Sequence, residues 1–347
     1  MGRKLRHMLM LLLIILKQPN MPEAESSCGP CSSCNLQSSN LTSIPQHLST
    51  RIFSLDLKFN AITTLSQSQM KILSRYKHMT YVNFAENRIS TIHCCFPNLP
   101  LLEVLYLMNN QITGLPPGIL SNLPKLKFLY LSSNKLAEIQ LGTFSDLPKL
   151  QSLKLNCNKI RTIQSGAFTN LPLLKMLYLN DNRILNLESG SFSDFPKLQL
   201  LWLDHNKISN IQSGAFSNLP NLTRLDLRKN QISFLPPSIY SIFSSISVVI
   251  VFRNHWQCDC RMLPFRLRMT GSHPFEKQIL CVQPATFSGK LLKDIEPENL
   301  TCKDKTTPTT PVDTKASATT PKMSTSFSFG NTESKETLGS SFATCVS

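Results

Sequence analysis

Leucines along this chain alternate with polar residues over short stretches, and the stretches then recur as blocks. On the template L-x-x-L-x-L-x-x-N-x-I the best copies are LEVLYLMNNQI (102–112), LKFLYLSSNKL (126–136), LQSLKLNCNKI (150–160), LKMLYLNDNRI (174–184), LQLLWLDHNKI (198–208) and LTRLDLRKNQI (222–232). Weaker copies flank them: IFSLDLKFNAI (52–62), MTYVNFAENRI (79–89) and ISVVIVFRNHW (246–256). The template asparagines are Asn60, Asn87, Asn110, Asn134, Asn158, Asn182, Asn206, Asn230 and Asn254, and after Asn110 every step is 24 residues. The L-x-L centre has a period of two, which predicts a short strand with its leucines inward and the intervening residue outward. One such strand cannot bury its apolar face alone, so the copies must stack on a shared core with a parallel sheet.

The other positions of the block follow from the turns that stacking requires. Each asparagine sits where the strand turns away, and its carboxamide both donates and accepts, so it can satisfy backbone groups freed there. The second half of the block reads I-Q-S-G-A-F-x-N-L-P in its best copy, and Phe144, Phe168, Phe192 and Phe216 recur at 24 residues. They are expected to stack as a spine under the convex side. Gly142, Gly166, Gly190 and Gly214 mark the same turn, and the prolines from Pro100 to Pro220 open the approach to the next strand.

This period and template are those of the leucine-rich repeat. The expected fold is therefore α/β: a leucine-rich repeat solenoid, a curved horseshoe with a parallel concave sheet and an irregular or 3-10 convex side. A solenoid has open ends that need capping. NHWQCDCR (254–261), at the last template asparagine, is followed by Cys281 and Cys302. Zinc ligation, a reactive thiol and a disulfide staple are the three readings of that cluster. The N-terminus bears on the choice: bases at Arg3, Lys4 and Arg6, then nine apolar residues MLMLLLIIL (8–16), then a polar stretch to Ala24. This is a signal-peptide pattern, too short to span a bilayer, and it implies an oxidising compartment. The staple reading is favoured.

The Cys258, Cys260, Cys281, Cys302 order resembles the C-terminal cap of extracellular leucine-rich repeat proteins. That resemblance implies the pairs Cys258–Cys281 and Cys260–Cys302, with Trp256 over the last coil. At the other end CGPCSSCNLQSSNLTSIPQHL (28–48) resembles the matching N-terminal cap, but holds three cysteines (Cys28, Cys31, Cys34) where that cap carries four. The chain has 11 cysteines, an odd number. Cys94 and Cys95 lie in HCCF, in a repeat one residue short, and Cys157 lies beside a template asparagine as a lone buried thiol. Cys345 is the candidate for a disulfide-linked oligomer. The layout is similar to variable lymphocyte receptors and to Toll-like and Slit-like ectodomains. It divides the chain into a signal peptide (1–24), an N-terminal cap (25–50), repeats (51–245), the last repeat with the C-terminal cap (246–302) and a tail (303–347).

From Lys303 onward Thr, Ser and Pro dominate, no repeat is visible, and a disordered, O-glycosylated stalk is expected. Sequons at Asn40, Asn221 and Asn299 predict N-glycosylation, with Asn221 on the loop leading into a strand. The formal charge is +15; without residues 1–24 there remain 32 bases against 20 acids, a net +12. That balance favours anionic partners.

The middle residue of each L-x-L faces the concave side. In coil order these are Asp56, Asn83, Tyr106, Tyr130, Lys154, Tyr178, Trp202, Asp226 and Ile250. Phe128, Met176 and Leu200 flank this column on one side and Met108, Asn156, Asn180 and Asp204 on the other. Tyrosine and tryptophan on a rigid sheet give contact area at low entropy cost, although tyrosine also suits a half-exposed strand for packing reasons alone. Tyr106, Tyr130, Lys154, Tyr178, Trp202, Asp204, Asp226 and Arg228 are the candidate ligand-binding residues. The apolar Val248, Ile250 and Phe252 of the last coil are either folded over by the cap or a second contact patch. Enzyme motifs are missing: there is no GxSxG, no HExxH and no phosphate loop, and Asp204 and His205 are expected to diverge. The expected function is a non-enzymatic extracellular module, of innate-immune or cell-surface receptor type, that binds a protein or microbial surface ligand on its concave face. The alternative is a matrix protein binding sulfated glycans through its basic surface. No cofactor, metal or nucleic acid is expected.

Overall fold

A computed structural model describes residues 33–302. The signal-peptide segment, the 303–347 tail, Cys28, Cys31 and Cys345 lie outside the described residues. Ten three-residue strands form one parallel sheet in chain order: β1 Ser33–Asn35, β2 Ser54–Asp56, β3 Tyr81–Asn83, β4 Val104–Tyr106, β5 Phe128–Tyr130, β6 Ser152–Lys154, β7 Met176–Tyr178, β8 Leu200–Trp202, β9 Arg224–Asp226 and β10 Val248–Ile250. The register places the middle residues of successive L-x-L centres opposite one another, as in Tyr106↔Tyr130, Lys154↔Tyr178 and Trp202↔Asp226. β1 is one strand more than the template finds. Cys34 takes the inward leucine position there at 0% exposure, and Ser39 stands where the asparagine would be, so neither marker residue is present.

The asparagine ladder closes each coil. Asn134 Nδ2 donates to Leu131 O in its own coil (3.1 Å) and to Leu107 O in the preceding one (2.9 Å). Its Oδ1 accepts from Ile112 N at 3.0 Å. The residue before each template asparagine has positive φ, from Phe59 (56°) through Cys157 (58°) to Arg253 (58°). This left-handed step, three residues past the end of each strand, turns the chain and aims the carboxamide into the turn.

Under the convex side the phenylalanine spine stacks as expected, with centroids 5.7 Å apart for Phe144–Phe168, 6.2 Å for Phe168–Phe192 and 5.8 Å for Phe192–Phe216. The convex backbone itself pairs in two-residue parallel strands such as Phe192–Ser193 with Phe216–Ser217. Helices α1 (Gln67–Leu73) and α2 (Ser238–Ser245) stand in the second and ninth coils, where the 24-residue pattern weakens. Gly166 has φ +76°, a left-handed turn that a side chain would strain.

The C-terminal cap is stapled by Cys258–Cys281 and Cys260–Cys302. The sulfurs are therefore held in covalent bonds, including those of Cys260 and Cys302 that lie near Asp259. Trp256 (1% exposed) closes the core. The cap also plugs the free edge of β10: Gln278 Oε1 accepts from Val251 N (2.8 Å) and its Nε2 donates to Val249 O (3.1 Å). Val248 and Phe252 remain exposed on the concave side, so the cap covers the sheet's edge and not that face. Cys34 and Cys157 are both disulfide-bonded. Cys157 is thus not a lone buried thiol; its left-handed backbone turns it outward and leaves it half-buried. Cys94 and Cys95 are free, Cys95 exposed.

Candidate functional site on the concave face

The outward side chains of β4 to β9 form one continuous ladder. Tyr106 and Tyr130 lie face to face, centroids 4.5 Å apart and planes within 5°. Lys154 follows, its Nζ 5.2 Å from the Tyr130 ring and 5.3 Å from the Tyr178 ring. Tyr178 stacks on Trp202 at 6.2 Å and 9°, and the Arg224 guanidinium covers Trp202 at 4.6 Å. Tyr81 joins at the other end, 5.5 Å from Tyr106 and tilted by 55°. The sequence pattern passes over Tyr81 because it lies in the flanking column. The signal that finds it is its diagonal relation to the next strand, within reach of a long side chain.

The ladder has a chemical consequence. Its rings turn their faces to one another and to cations, so they offer ligands their electropositive edges and their hydroxyls. Burial raises the phenol pKa of Tyr130 to about 12, with a further push from Tyr106, and raises that of Tyr178; burial lowers that of Lys154. The Tyr178 hydroxyl donates to Met176 Sδ at 3.6 Å.

At the C-terminal end the face becomes ionic. Asp226 is 0% exposed and Asp204 4%. Arg228 Nε lies 3.5 Å from Asp226 Oδ2 and 3.7 Å from Asp204 Oδ2, and Arg224 Nη2 lies 4.0 Å from Asp226 Oδ2. Burial, reinforced by Asp204, raises the Asp226 pKa to about 6 against the favourable Arg228 amide and the two guanidiniums. His205 does not diverge from Asp204: its Nδ1 is 2.8 Å from Asp204 Oδ2, and Lys229 Nζ is 2.8 Å from its Nε2. His205 has φ 54°, which breaks the strand's alternation and returns the imidazole to the acid's side.

The structure thus sorts the eight candidates. Tyr106, Tyr130, Lys154, Tyr178 and Arg228 are half-buried and present atoms to the concave surface. Trp202 (8%), Asp204 and Asp226 lie beneath it, holding Arg224 and Arg228 in place. The sequon asparagines Asn40, Asn221 and Asn299 are all exposed. No helix among the described residues is long and apolar enough to cross a membrane.

Comparison with known proteins agrees with this architecture. The leucine rich repeat family model matches in overlapping segments from 77–136 to 173–232. Mouse leucine-rich repeat-containing protein 19 is 36% identical over 81 residues, 23% of this chain and 22% of its own length. The rat platelet glycoprotein Ib beta chain is 32% identical over 68 residues, 19% of this chain and 33% of its own. The alignments thus span at most a third of these relatives. Among solved structures, human 5T4 (Wnt-activated inhibitory factor 1, trophoblast glycoprotein) has a TM-score of 0.51 at 20% identity, covering 79% of this chain and 97% of that one. The mouse RP105/MD-1 complex gives 0.51 at 21% identity, with 78% and 54% covered. At these identities the likeness is one of fold. With its repeating coils, asparagine ladder and disulfide-stapled end, the chain carries a leucine-rich repeat solenoid.

Proposed function

We propose that this protein is a non-enzymatic extracellular recognition module that grips a protein ligand on its concave face. The observation that carries the reading is the unbroken ladder from Tyr81 through Lys154 to Arg224. Each member is fixed by its neighbours, so a partner is met by a rigid surface and little side-chain entropy is lost on contact. Ring edges, phenol hydroxyls and two guanidiniums suit the carbonyls and carboxylates of a protein surface. A flat ligand would need open ring faces. RP105, which shares the fold, is held in its structure as a complex with MD-1, in keeping with a protein partner. Secretion through the N-terminal signal pattern, with glycans on Asn40, Asn221 and Asn299, belongs to the same reading.

The test compares the secreted wild type with Tyr106→Ala/Tyr178→Ala on panels of cell and microbial surfaces at two salt concentrations. Trp202 is a poor choice for substitution because its removal hollows out the floor under Arg224. Loss of about tenfold or more with the double variant, and little response to salt, supports the reading. Unchanged binding by a correctly folded double variant would sink it.

A further inference from the structure

We infer that a column of unpaired bases, on the flank where each coil leaves the concave sheet, is a separate binding site for a linear sulfated glycan. The position directly after the template asparagine is Lys135, Lys159, Arg183 and Lys207 on four successive coils, all exposed. Hydrogen bonds between coils hold their backbones in line: Lys135 N to Ile112 O (2.9 Å), Lys159 N to Leu136 O (3.0 Å), Arg183 N to Ile160 O (2.9 Å) and Lys207 N to Ile184 O (3.0 Å). At about 4.8 Å per coil the four charges span about 14 Å.

Nothing on this flank neutralises them. None of the ion pairs among the described residues uses any of the four. Lys135 Nζ donates only to the neutral Gln111 Oε1, at 3.0 Å. Exposed Arg161 adds a fifth base; the four residues that begin with each column base hold one acid, Glu138, which accepts from Gln140 at 2.7 Å, and the exposed Glu188 further along its coil accepts from Gln212. The opposite flank is different. There Lys127 pairs with Glu103 at 2.8 Å, and Lys149 and Lys197 each follow an aspartate, Asp146 and Asp194, three residues earlier. Like charges one coil apart repel, and a bound polyanion turns that cost into attraction.

The geometry selects the kind of polyanion. The column is one residue wide, so it matches a chain with charges along its length better than the plane of a lipid surface. The outward positions 135–138, 159–162, 183–186 and 207–210 contain no aromatic ring, which a single-stranded nucleic acid needs for base stacking. The site lies off the aromatic ladder, and the inference stands or falls independently of the concave-face reading.

The test passes the full secreted chain over immobilised heparin and elutes with salt. One variant carries Lys135→Ser, Lys159→Ser, Arg183→Ser and Lys207→Ser. A charge-matched control carries Lys125→Ser, Lys149→Ser, Lys175→Ser and Lys197→Ser on the opposite flank. All eight side chains are exposed, and a thermal melt checks that both variants fold. The column variant is expected to elute at lower salt and to lose about tenfold or more in affinity at physiological salt, while the control stays near wild type. Equal losses in both variants would mean diffuse attraction by net charge and overturn the inference. So would failure of the wild type to bind heparin, or its tighter binding to duplex DNA or to phosphatidylserine vesicles than to heparin.

Discussion

The rings of Tyr106 and Tyr130 lie parallel within 5°, their centroids 4.5 Å apart, on adjacent coils. Register alone brings them together, since they are directly paired residues of β4 and β5. Offset stacking of this kind adds about 0.5–1.5 kcal/mol beyond area burial. A double-mutant cycle with Tyr106→Ala and Tyr130→Ala, read by urea unfolding, should return a coupling energy in that range. Strict additivity would mean that the two rings are neighbours without being partners.

The asparagine ladder predicts a sharp difference between two similar side chains. In Asn134→Asp the carboxylate keeps the acceptor for Ile112 N but cannot donate to Leu107 O and Leu131 O. Two buried carbonyls lose their donor and a charge enters a buried site, so a loss of about 2–4 kcal/mol is expected. The urea midpoint measures it. A shift smaller than that of an exposed substitution such as Lys135→Ser would show that the ladder is dispensable.

Asp226 makes stability fall as the pH rises. Its carboxyl pKa is raised from 3.8 unfolded to about 6 folded. The native state therefore holds more protons than the unfolded chain between those values, and stability declines as pH increases through that window. Asp226→Asn should flatten this slope between about pH 4 and 6 and raise the melting temperature at neutral pH. Melting curves at several pH values in that range decide it. A variant less stable than wild type at neutral pH would instead mean that the Arg224 and Arg228 ion pairs outweigh the burial cost.

Gln278 predicts a change in association state. It fills the unpaired edge of β10, contacting Val251 N and Val249 O. With Gln278→Ala that edge becomes a template for another chain. Light scattering should report concentration-dependent dimers or larger species while the Cys258–Cys281 and Cys260–Cys302 staples remain intact. A monomer at every concentration would show that the rest of the cap protects the edge.

Repeat proteins reveal a great deal in one dimension, and particular residues show why. Phe144 to Phe216, the template asparagines and the inward leucines are all legible, because each contacts its own copy one coil away and the sequence period is the contact map. Tyr81 and β1 are not. Tyr81 meets Tyr106 diagonally, and β1 keeps the shape of a coil with Cys34 and Ser39 in place of the marker residues. His205 escapes the pattern because strand alternation fails at the left-handed residue before each asparagine.

By itself, then, the sequence determined the solenoid, its coil spacing, its capped end and which column of side chains faces the concave surface. The physical reason is that these depend on nearest-neighbour stacking of near-identical units. The tertiary structure alone decided which of those side chains reach solvent. Trp202, Asp204 and Asp226 share the outward column or its flank with Tyr178, yet they are buried, because Arg224 and Arg228, one coil on from Trp202 and Asp204 and in the same coil as Asp226, fold over them. That covering is set by charge and reach between neighbouring side chains, which a repeat period does not encode.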